Sequence, residues 1–188
     1  MPEELYRRPS KQEIQAAVNK KVPDIIAPGL KVLFCGINPG LYTAAAGHHF
    51  ARPGNRFWPV LHLSGFTHRL LAPFEEKELI KYGYGITNVV ERATVSADEL
   101  SKEEYKAGGK LLEKKLLEYK PEYIAVLGIG AYKTAFNMPE AKMGLQSLKI
   151  GTTTVWVLPS PSGLNAHYQL HHLVEMFRQL FLKTHSLN

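Results

Sequence analysis

The stretch that decides the fold is residues 31–40, KVLFCGINPG, in which a continuous apolar run ends at a glycine and passes into a loop. An uninterrupted apolar run of this length is typical of a strand that is buried on both faces of a sheet. Residues 123–127 and 154–158 repeat the pattern, and amphipathic helical patterns lie between the runs. This alternation predicts an α/β protein with three α/β/α layers around a central, mostly parallel sheet.

Further segments complete the predicted sheet and its helical layers. Residues 85–90 predict another strand with its loop, and residues 148–151 predict a strand that pairs with residues 154–158. Helices are predicted over residues 10–20, 56–63, 75–81, 101–119 and 168–182, with one more from Ala131. In the longest helix we expect the apolar face to consist of Leu111, Leu112, Leu116 and Leu117.

Length and composition predict one globular domain. The 188 residues are 45% hydrophobic and 21% charged, so we expect a single domain over residues 1–188, with residues 1–28 as a helical leader. The longest apolar stretches are too short to span a bilayer. The acidic N-terminus lacks the basic-then-apolar order of a signal peptide, so we expect a cytoplasmic monomer without membrane contact.

Cysteine content and charge limit the kinds of metal site, disulfide and binding partner that the chain can have. Cys35 is the only cysteine, which excludes a disulfide within the chain and a multi-cysteine metal site. Because the histidines show no His-Glu-x-x-His spacing, we expect neither a metal nor any other cofactor. The formal net charge of +6 favours a polyanionic partner, although charge alone does not identify it.

In sheets of this kind the ligand crevice lies beyond the carboxyl ends of the strands. The predicted loop over residues 37–55 is long enough to be functional, and Asn38 projects an amide from its start. An amide oxygen can hold a water molecule, but it cannot take up a proton as a carboxylate does. The alternative is that Asn38 only caps the turn.

Five motifs, in matching order and spacing, resemble one known family. They are FCGINPGL (34–41), GHHF (47–50), PGNRFW (53–58), GITNVVER (85–92) and LPSPSGL (158–164). Together they resemble the mismatch-specific uracil/thymine-DNA glycosylases, over residues 27–178. The resemblance implies a uracil-DNA glycosylase-like fold, and the short flanks are similar to the compact bacterial members.

The resemblance also implies roles for residues of the first two loops. It assigns the attacking water to Asn38, stacking on the base to Phe50, and base-edge contacts to backbone groups that include Ile37. His49 is expected to line the base pocket, although adjacent histidines in a loop are often merely exposed. Asn88 either bonds the flipped base or caps the strand end.

Gly40 bears on the substrate range. Uracil-DNA glycosylases of another type resemble this motif but have an aspartate in place of Asn38 and a tyrosine in place of Gly40. That tyrosine crowds the C5 position of the base. Glycine leaves room there, so the resemblance implies that thymine and other C5-substituted pyrimidines enter as well as uracil.

The last informative loop, residues 160–165, is expected to enter the duplex. An apolar wedge can fill the hole that a flipped base leaves, and Leu164 suits that role. The resemblance implies contacts to the widowed guanine from this loop, where Ser162, Gly163 and Asn165 accompany Leu164. The arginine that commonly follows the wedge is missing, and Leu164 has the alternative of packing into the core.

Several cations could meet DNA phosphates, namely Arg52, Arg56, Lys133 and His167. The run of Lys110, Lys114 and Lys115 on the long helix is expected to be a solvated face instead.

We therefore interpret the chain as a monofunctional DNA glycosylase that flips uracil, and also thymine or other modified pyrimidines, out of G·U and G·T mispairs in double-stranded DNA. It would hydrolyse the N-glycosidic bond and so initiate base excision repair, leaving an abasic site because no lysine lies in the matched motifs to form a Schiff base. Two alternatives are a non-catalytic mismatch-binding module and a hydrolase of free nucleosides or nucleotides.

Overall fold

Within residues 6–186, the part of the chain that this computed structural model describes, five strands form one sheet. They are β1 (Val32–Gly36), β2 (Tyr84–Asn88), β3 (Tyr123–Leu127), β4 (Gly144–Ile150) and β5 (Thr153–Leu158). Their order across the sheet is β2-β1-β3-β5-β4. The pairs β1–β2, β1–β3 and β3–β5 are parallel, whereas β4 pairs antiparallel with β5 through a tight turn. The predicted mostly parallel sheet is confirmed.

Helices cover both faces of the sheet, which confirms the predicted α/β/α layers. They are α1 (Lys11–Gln15), α2 (Leu41–Ala46), α3 (Phe57–Ser64), α4 (Leu79–Tyr82), α5 (Lys102–Tyr119), α6 (Ile129–Ala135) and α7 (Leu170–His185). Two 3₁₀ segments, Pro73–Glu78 and Ala97–Glu99, precede α4 and α5. Residues 1–5 of the predicted leader, with its acidic N-terminus, lie outside the described residues.

The core has one cluster on each face of the sheet because side chains alternate along a strand. In β1, Phe34 points into the cluster beneath α3 and α7, where its ring meets Phe57 edge-on at 5.5 Å and stacks on Phe177 at 6.2 Å. Leu33 and Cys35 point into the opposite cluster, beneath α5 and α6. The continuous apolar run of β1 is therefore buried on both faces, as the sequence predicts.

The structure differs from the predicted helices in two places. The helix predicted over residues 10–20 ends at Gln15, where the Ala17 N–H already donates to the Ile14 carbonyl three residues back, and the backbone at Asn19 then adopts a left-handed φ of 63°. Residues 37–55, predicted as a loop without secondary structure, contain the short helix α2. Helix α2 begins at a glycine without a capping side chain, so no start signal announces it.

The apolar face of α5 is narrower than predicted. Leu112 and Leu116 are buried, whereas Leu111 is 51% exposed and Leu117 is 54% exposed. Positions four residues apart share one stripe of a helix, and only that stripe meets the sheet.

The described residues contain neither a cluster of metal-binding side chains nor a helix suited to a membrane. No three of their histidine, cysteine, aspartate or glutamate side chains converge on a metal-sized site. None of their helices has both the length and the apolar character needed to traverse a bilayer.

Candidate active site

A cleft of about 480 Å³ opens at the carboxyl ends of β1, β2, β3 and β5. Its walls include residues 36–40 after β1, Asn88 and residues 94–98 after β2, Leu127 at the end of β3, and residues 160–162, Leu164 and Asn165 after β5. Parallel strands place these loops at the same edge of the sheet. The cleft is also lined by His49 and Phe50, which follow α2.

Asn38 is held in one orientation in this cleft. Its Nδ2 donates to the Arg92 carbonyl at 3.0 Å and to the Thr94 hydroxyl at 2.8 Å, and that hydroxyl donates in turn to the Ser96 carbonyl. Because a carbonyl oxygen only accepts, the nitrogen of the amide has to face Arg92. Both amide protons are therefore occupied, and Oδ1, which bonds no described residue, is the atom available to a ligand. This geometry goes beyond the simple turn cap considered for Asn38.

Asn88 is the second amide of the cleft. It ends β2, is 8% exposed, and its side chain makes no hydrogen bond with any described residue. A Cβ atom on the neighbouring Gly36 would lie 2.6 Å from Asn88 Oδ1 and 3.3 Å from the ring of Phe50. Glycine at position 36 is therefore what allows these two side chains to approach the strand end.

Phe50 supplies an aromatic wall. Its ring stacks on Phe57 with centroids 4.0 Å apart and an angle of 24° between the planes. Its backbone adopts a φ of 54°, which is uncommon for a residue with a side chain. One face of the Phe50 ring is thus backed by Phe57, which belongs to the core.

The histidine pair divides into one buried and one partly exposed side chain. His49 is 1% exposed, and its Nε2 donates to the Pro23 carbonyl at 2.8 Å. Its backbone N–H donates to Glu76, which also binds the ring of His48 at 3.0 Å. The buried Glu76 carboxylate therefore braces the turn that carries Phe50, a function that no sequence motif indicated.

Leu164 stands out from the cleft rim. It is 75% exposed, so the alternative that it packs into the core is wrong. Its backbone N–H donates to the Ser162 hydroxyl, which fixes the turn from which it projects. A Cβ atom on Gly163 would lie 2.7 Å from the Gly54 carbonyl, so the loop packs closely on residues 53–55.

Arg56 holds this loop from beneath. Its guanidinium donates to the carbonyls of Ser162 at 2.7 Å, Asn165 at 3.1 Å and Pro161 at 3.3 Å, and also to that of Tyr168. The prediction that Arg56 meets phosphates is therefore wrong, since its donors are committed to the loop. Arg52, by contrast, is exposed on the cleft rim and has no ion-pair partner among the described residues.

Asn165 is used within its own loop. Its Nδ2 donates to the Ser160 carbonyl at 3.1 Å, and its Oδ1 accepts from the His167 N–H at 3.3 Å. Asn165 lines the cleft, and the bonds within its loop leave one amide N–H and one lone pair of Oδ1 for a guanine.

Thr94 and Asp98 are polar residues of the cleft that the sequence motifs did not indicate. Thr94 orients Asn38, and Asp98 is the one carboxylate among the described residues that line the cleft. Their position after β2 is the signal that could have found them, because the whole segment between Asn88 and α5 follows a strand at the ligand edge.

Gly40 and Ile37 also lie in the cleft. A Cβ atom on Gly40 would meet no atom within 4 Å, so the space beside it is open. The Ile37 carbonyl accepts a hydrogen bond from the Val90 N–H at 2.9 Å. Of the two backbone groups of Ile37, the N–H is therefore the one that a ligand would bind.

The predicted solvated lysine face of α5 is wrong for Lys115. Its Nζ lies 2.6 Å from Asp24 and 3.4 Å from Glu91, and it bonds the Thr87 hydroxyl beneath β2. Its pKa is raised by these carboxylates, against the effect of burial. Lys110 and Lys114 are exposed as predicted.

The comparisons with known proteins agree with this architecture. A family model described as the uracil DNA glycosylase superfamily matches residues 23–182. The fold is similar to the solution NMR structure of a Methanosarcina acetivorans protein described as a "putative Uracil DNA glycosylase", with a TM-score of 0.60 at 18% identity. That alignment covers 87% of this chain and 99% of the other. The matched family region contains every loop of the cleft.

Proposed function

The chain belongs to the uracil DNA glycosylase superfamily and is a DNA glycosylase, and from this premise we propose that it removes uracil and C5-substituted pyrimidines such as thymine from mispairs with guanine in duplex DNA. The single observation that supports the reaction best is the fixed amide of Asn38, whose Oδ1 is left to bind a water molecule.

The proposed reaction is hydrolysis of the N-glycosidic bond. The water oxygen bonds to C1′ of the deoxyribose, the C1′–N1 bond breaks, and the pyrimidine leaves with the bonding electron pair as an anion. Asn38 orients the water but cannot take its proton. Asp98 is the candidate acceptor for that proton, because it is the carboxylate among the described lining residues.

The base would occupy the space between Phe50 and Asn88. The free face of Phe50 offers a stacking surface, so that Phe57, Phe50 and the base would form three layers. The Asn88 amide has a donor and an acceptor unpaired among the described residues, and this matches the alternating acceptors and N–H of a pyrimidine edge. Hydrogen bonds that strengthen as the base becomes an anion would lower the barrier.

Leu164 supports a duplex substrate. An apolar side chain that is three-quarters exposed on a braced loop suits insertion into the gap left by a flipped base. Selectivity for mispairs would follow because a weakly paired base costs less to flip. None of the described residues that line the cleft is a lysine, so we expect hydrolysis to an abasic site without strand cleavage.

The alternatives fit less well. A mismatch-binding module without catalysis is not supported, because the matched family model is that of a DNA glycosylase superfamily and Asn38 is oriented for a ligand. A hydrolase of free nucleosides would have no use for the exposed Leu164. Incubation with free deoxyuridine distinguishes a nucleoside hydrolase from the proposed DNA glycosylase, since we expect the free nucleoside to remain intact.

The experiment that tests the proposal is single-turnover excision from end-labelled duplexes with one central G·U, G·T or A·U pair, developed with alkali. We expect alkali-dependent cutting of G·U and slower cutting of G·T. Asn38→Ala should lower the rate by about 100-fold or more, the size of a lost transition-state contact. An unchanged rate in Asn38→Ala would exclude the role proposed for the amide.

Gly40→Tyr provides the matched test of substrate range. The open space at Gly40 accepts a side chain without a backbone clash, so folding should be preserved. We expect the variant to keep cutting G·U and to lose G·T, because the ring would occupy the space that a C5 methyl group needs. Equal loss of both substrates would contradict this reading.

A further inference from the structure

A second groove, of about 600 Å³, adjoins the cleft. The two cavities share Phe50, Arg52 and Asn55, so that the groove continues the cleft beyond the Phe50 ring. It runs past Tyr42 of α2 to Tyr6 and Arg8, which precede α1. Phe50 and four residues of the PGNRFW motif (residues 53–55 and Trp58) line it, but the sequence motifs and the proposed excision reaction leave Tyr6, Arg8 and Tyr42 without a role.

Aromatic side chains form its walls. The Tyr6 ring lies against Phe74, with centroids 5.4 Å apart and planes 32° from parallel, and Trp58 lines the groove beside Phe50. Burial, together with a hydrogen bond to Tyr42, raises the pKa of Tyr6 to about 12. The Tyr6 hydroxyl therefore adds no negative charge at neutral pH.

The charge of the groove is positive. Arg8 and Arg52 are both exposed, and neither has an ion-pair partner among residues 6–186. The carboxylate at the other end, Glu75, is neutralised by two hydrogen bonds from Arg69 at 2.9 and 3.0 Å and by one from the Ala72 N–H. Among the described residues, an anionic ligand would thus meet two arginines without an ion-pair partner and no carboxylate that is not already paired.

Aromatic faces interleaved with arginines are the features with which proteins hold unstacked nucleotides, since the rings stack on bases and the guanidinium groups bind phosphates. We propose that this groove binds a second, unpaired nucleotide of the strand that carries the target base. The inference rests on the proposed function, because continuity with the cleft at Phe50 and Arg52 defines the strand.

The proposal has a consequence for substrate choice. A duplex whose target base has an unpaired neighbour would fill both cavities, whereas a fully paired duplex would fill only the cleft. The groove would therefore favour excision at tandem mispairs and at junctions between single- and double-stranded DNA.

The first measurement is fluorescence anisotropy of a labelled eight-nucleotide oligodeoxyadenylate, which contains no pyrimidine and requires no catalysis. The variants are Tyr42→Leu and Arg8→Gln, which lie in the groove and not in the cleft. The matched control is Arg7→Gln, which removes the same charge from an arginine that pairs with Glu13 outside the groove. We expect binding to weaken about fivefold or more in the groove variants, as for the loss of one base stack, and to remain unchanged in the control.

The second measurement is single-turnover excision from a G·U duplex with either a paired or an unpaired neighbour. We expect the groove variants to lose the advantage of the unpaired neighbour and to cut the fully paired duplex at the wild-type rate. Equal weakening in Arg7→Gln, or wild-type affinity in the groove variants, would overturn the proposal. If no duplex is cut but oligonucleotide binding depends on the groove, the proposed excision fails while the groove site stands.

Discussion

At the scale of the residue, both N–H groups of the Asn38 amide donate hydrogen bonds, and this allows a prediction of the pKa that an aspartate would have at position 38. In Asn38→Asp, a carboxylate oxygen would face the Arg92 carbonyl, 3.0 Å from the present nitrogen, and the Thr94 hydroxyl, whose proton goes to Ser96. Two facing acceptors disfavour the ionised form, so the pKa of the new carboxyl would be raised.

Because a raised pKa leaves the carboxyl protonated at low pH, we expect Asn38→Asp to cut G·U more slowly than the wild type near pH 6 and to speed up as pH increases. Single-turnover rates from pH 5 to 9 measure this, with Asn38→Ala as the baseline. If the rate of Asn38→Asp did not depend on pH and exceeded that of the wild type, the contacts at position 38 would not raise the pKa of the aspartate.

The same residue shows how far sequence reasoning reaches. The motif around Asn38 predicted a water-binding amide, and its residue type excluded a base. It could not predict which atom faces the cleft, because the partners Arg92 and Thr94 lie more than fifty positions away and act through a backbone carbonyl and a short hydroxyl. Such a contact leaves no periodic or compositional signal.

At the scale of the element, the loop over residues 160–165 depends on one side chain of another element, Arg56. A lysine has no planar fork and reaches fewer of the four carbonyls. We expect Arg56→Lys to slow excision from a G·U duplex by about 10- to 100-fold through misplacement of the wedge. Excision from a single-stranded uracil oligonucleotide, which requires no flipping out of a duplex, should fall less.

A matched control for that variant is Arg178→Lys, because Arg178 also donates to a backbone carbonyl, that of Leu63, away from the cleft. The control should leave both rates unchanged. Equal slowing of both substrates in Arg56→Lys would indicate a general loss of fold instead of a misplaced wedge.

Elements also differ in how well the sequence predicted them. The buried strands β1, β3 and β5 were predicted from apolar runs, because burial on both faces leaves a continuous signal. Helix α2 was missed because it begins at a glycine without a capping side chain and its six residues are too few to show a repeated helical period. Leu164 was predicted as a wedge from its motif, whereas its support by Arg56 is a tertiary contact that only the fold brings together.

At the scale of the whole molecule, ion pairs couple stability to pH. The Arg92 guanidinium, with help from the Ser101 N–H, lowers the pKa of Glu104 from 4.5 to about 2. A carboxyl with a lowered folded-state pKa stabilises the fold above its unfolded value and loses that contribution as pH falls toward the folded value. We therefore expect the free energy of unfolding to fall between pH 4.5 and 2.

Urea unfolding of the wild type and Glu104→Gln across that range measures the coupling. The variant should be less stable at pH 7 and should lose less stability on acidification. Glu113→Gln, on the same helix and without an ion pair among the described residues, should follow the wild type. An identical pH slope in Glu104→Gln would show that the pair with Arg92 does not contribute.

The preformed loop under Leu164 affects how the free energy of opening a base pair is divided between the protein and the DNA. Four carbonyls held by one guanidinium leave the probe little to reorganise on contact, so its ordering was completed during folding. In the proposed reaction, the work of opening a base pair would then fall almost entirely on the DNA. The enzyme would select base pairs that open easily, and the time that it spends at each pair would depend on how readily that pair separates.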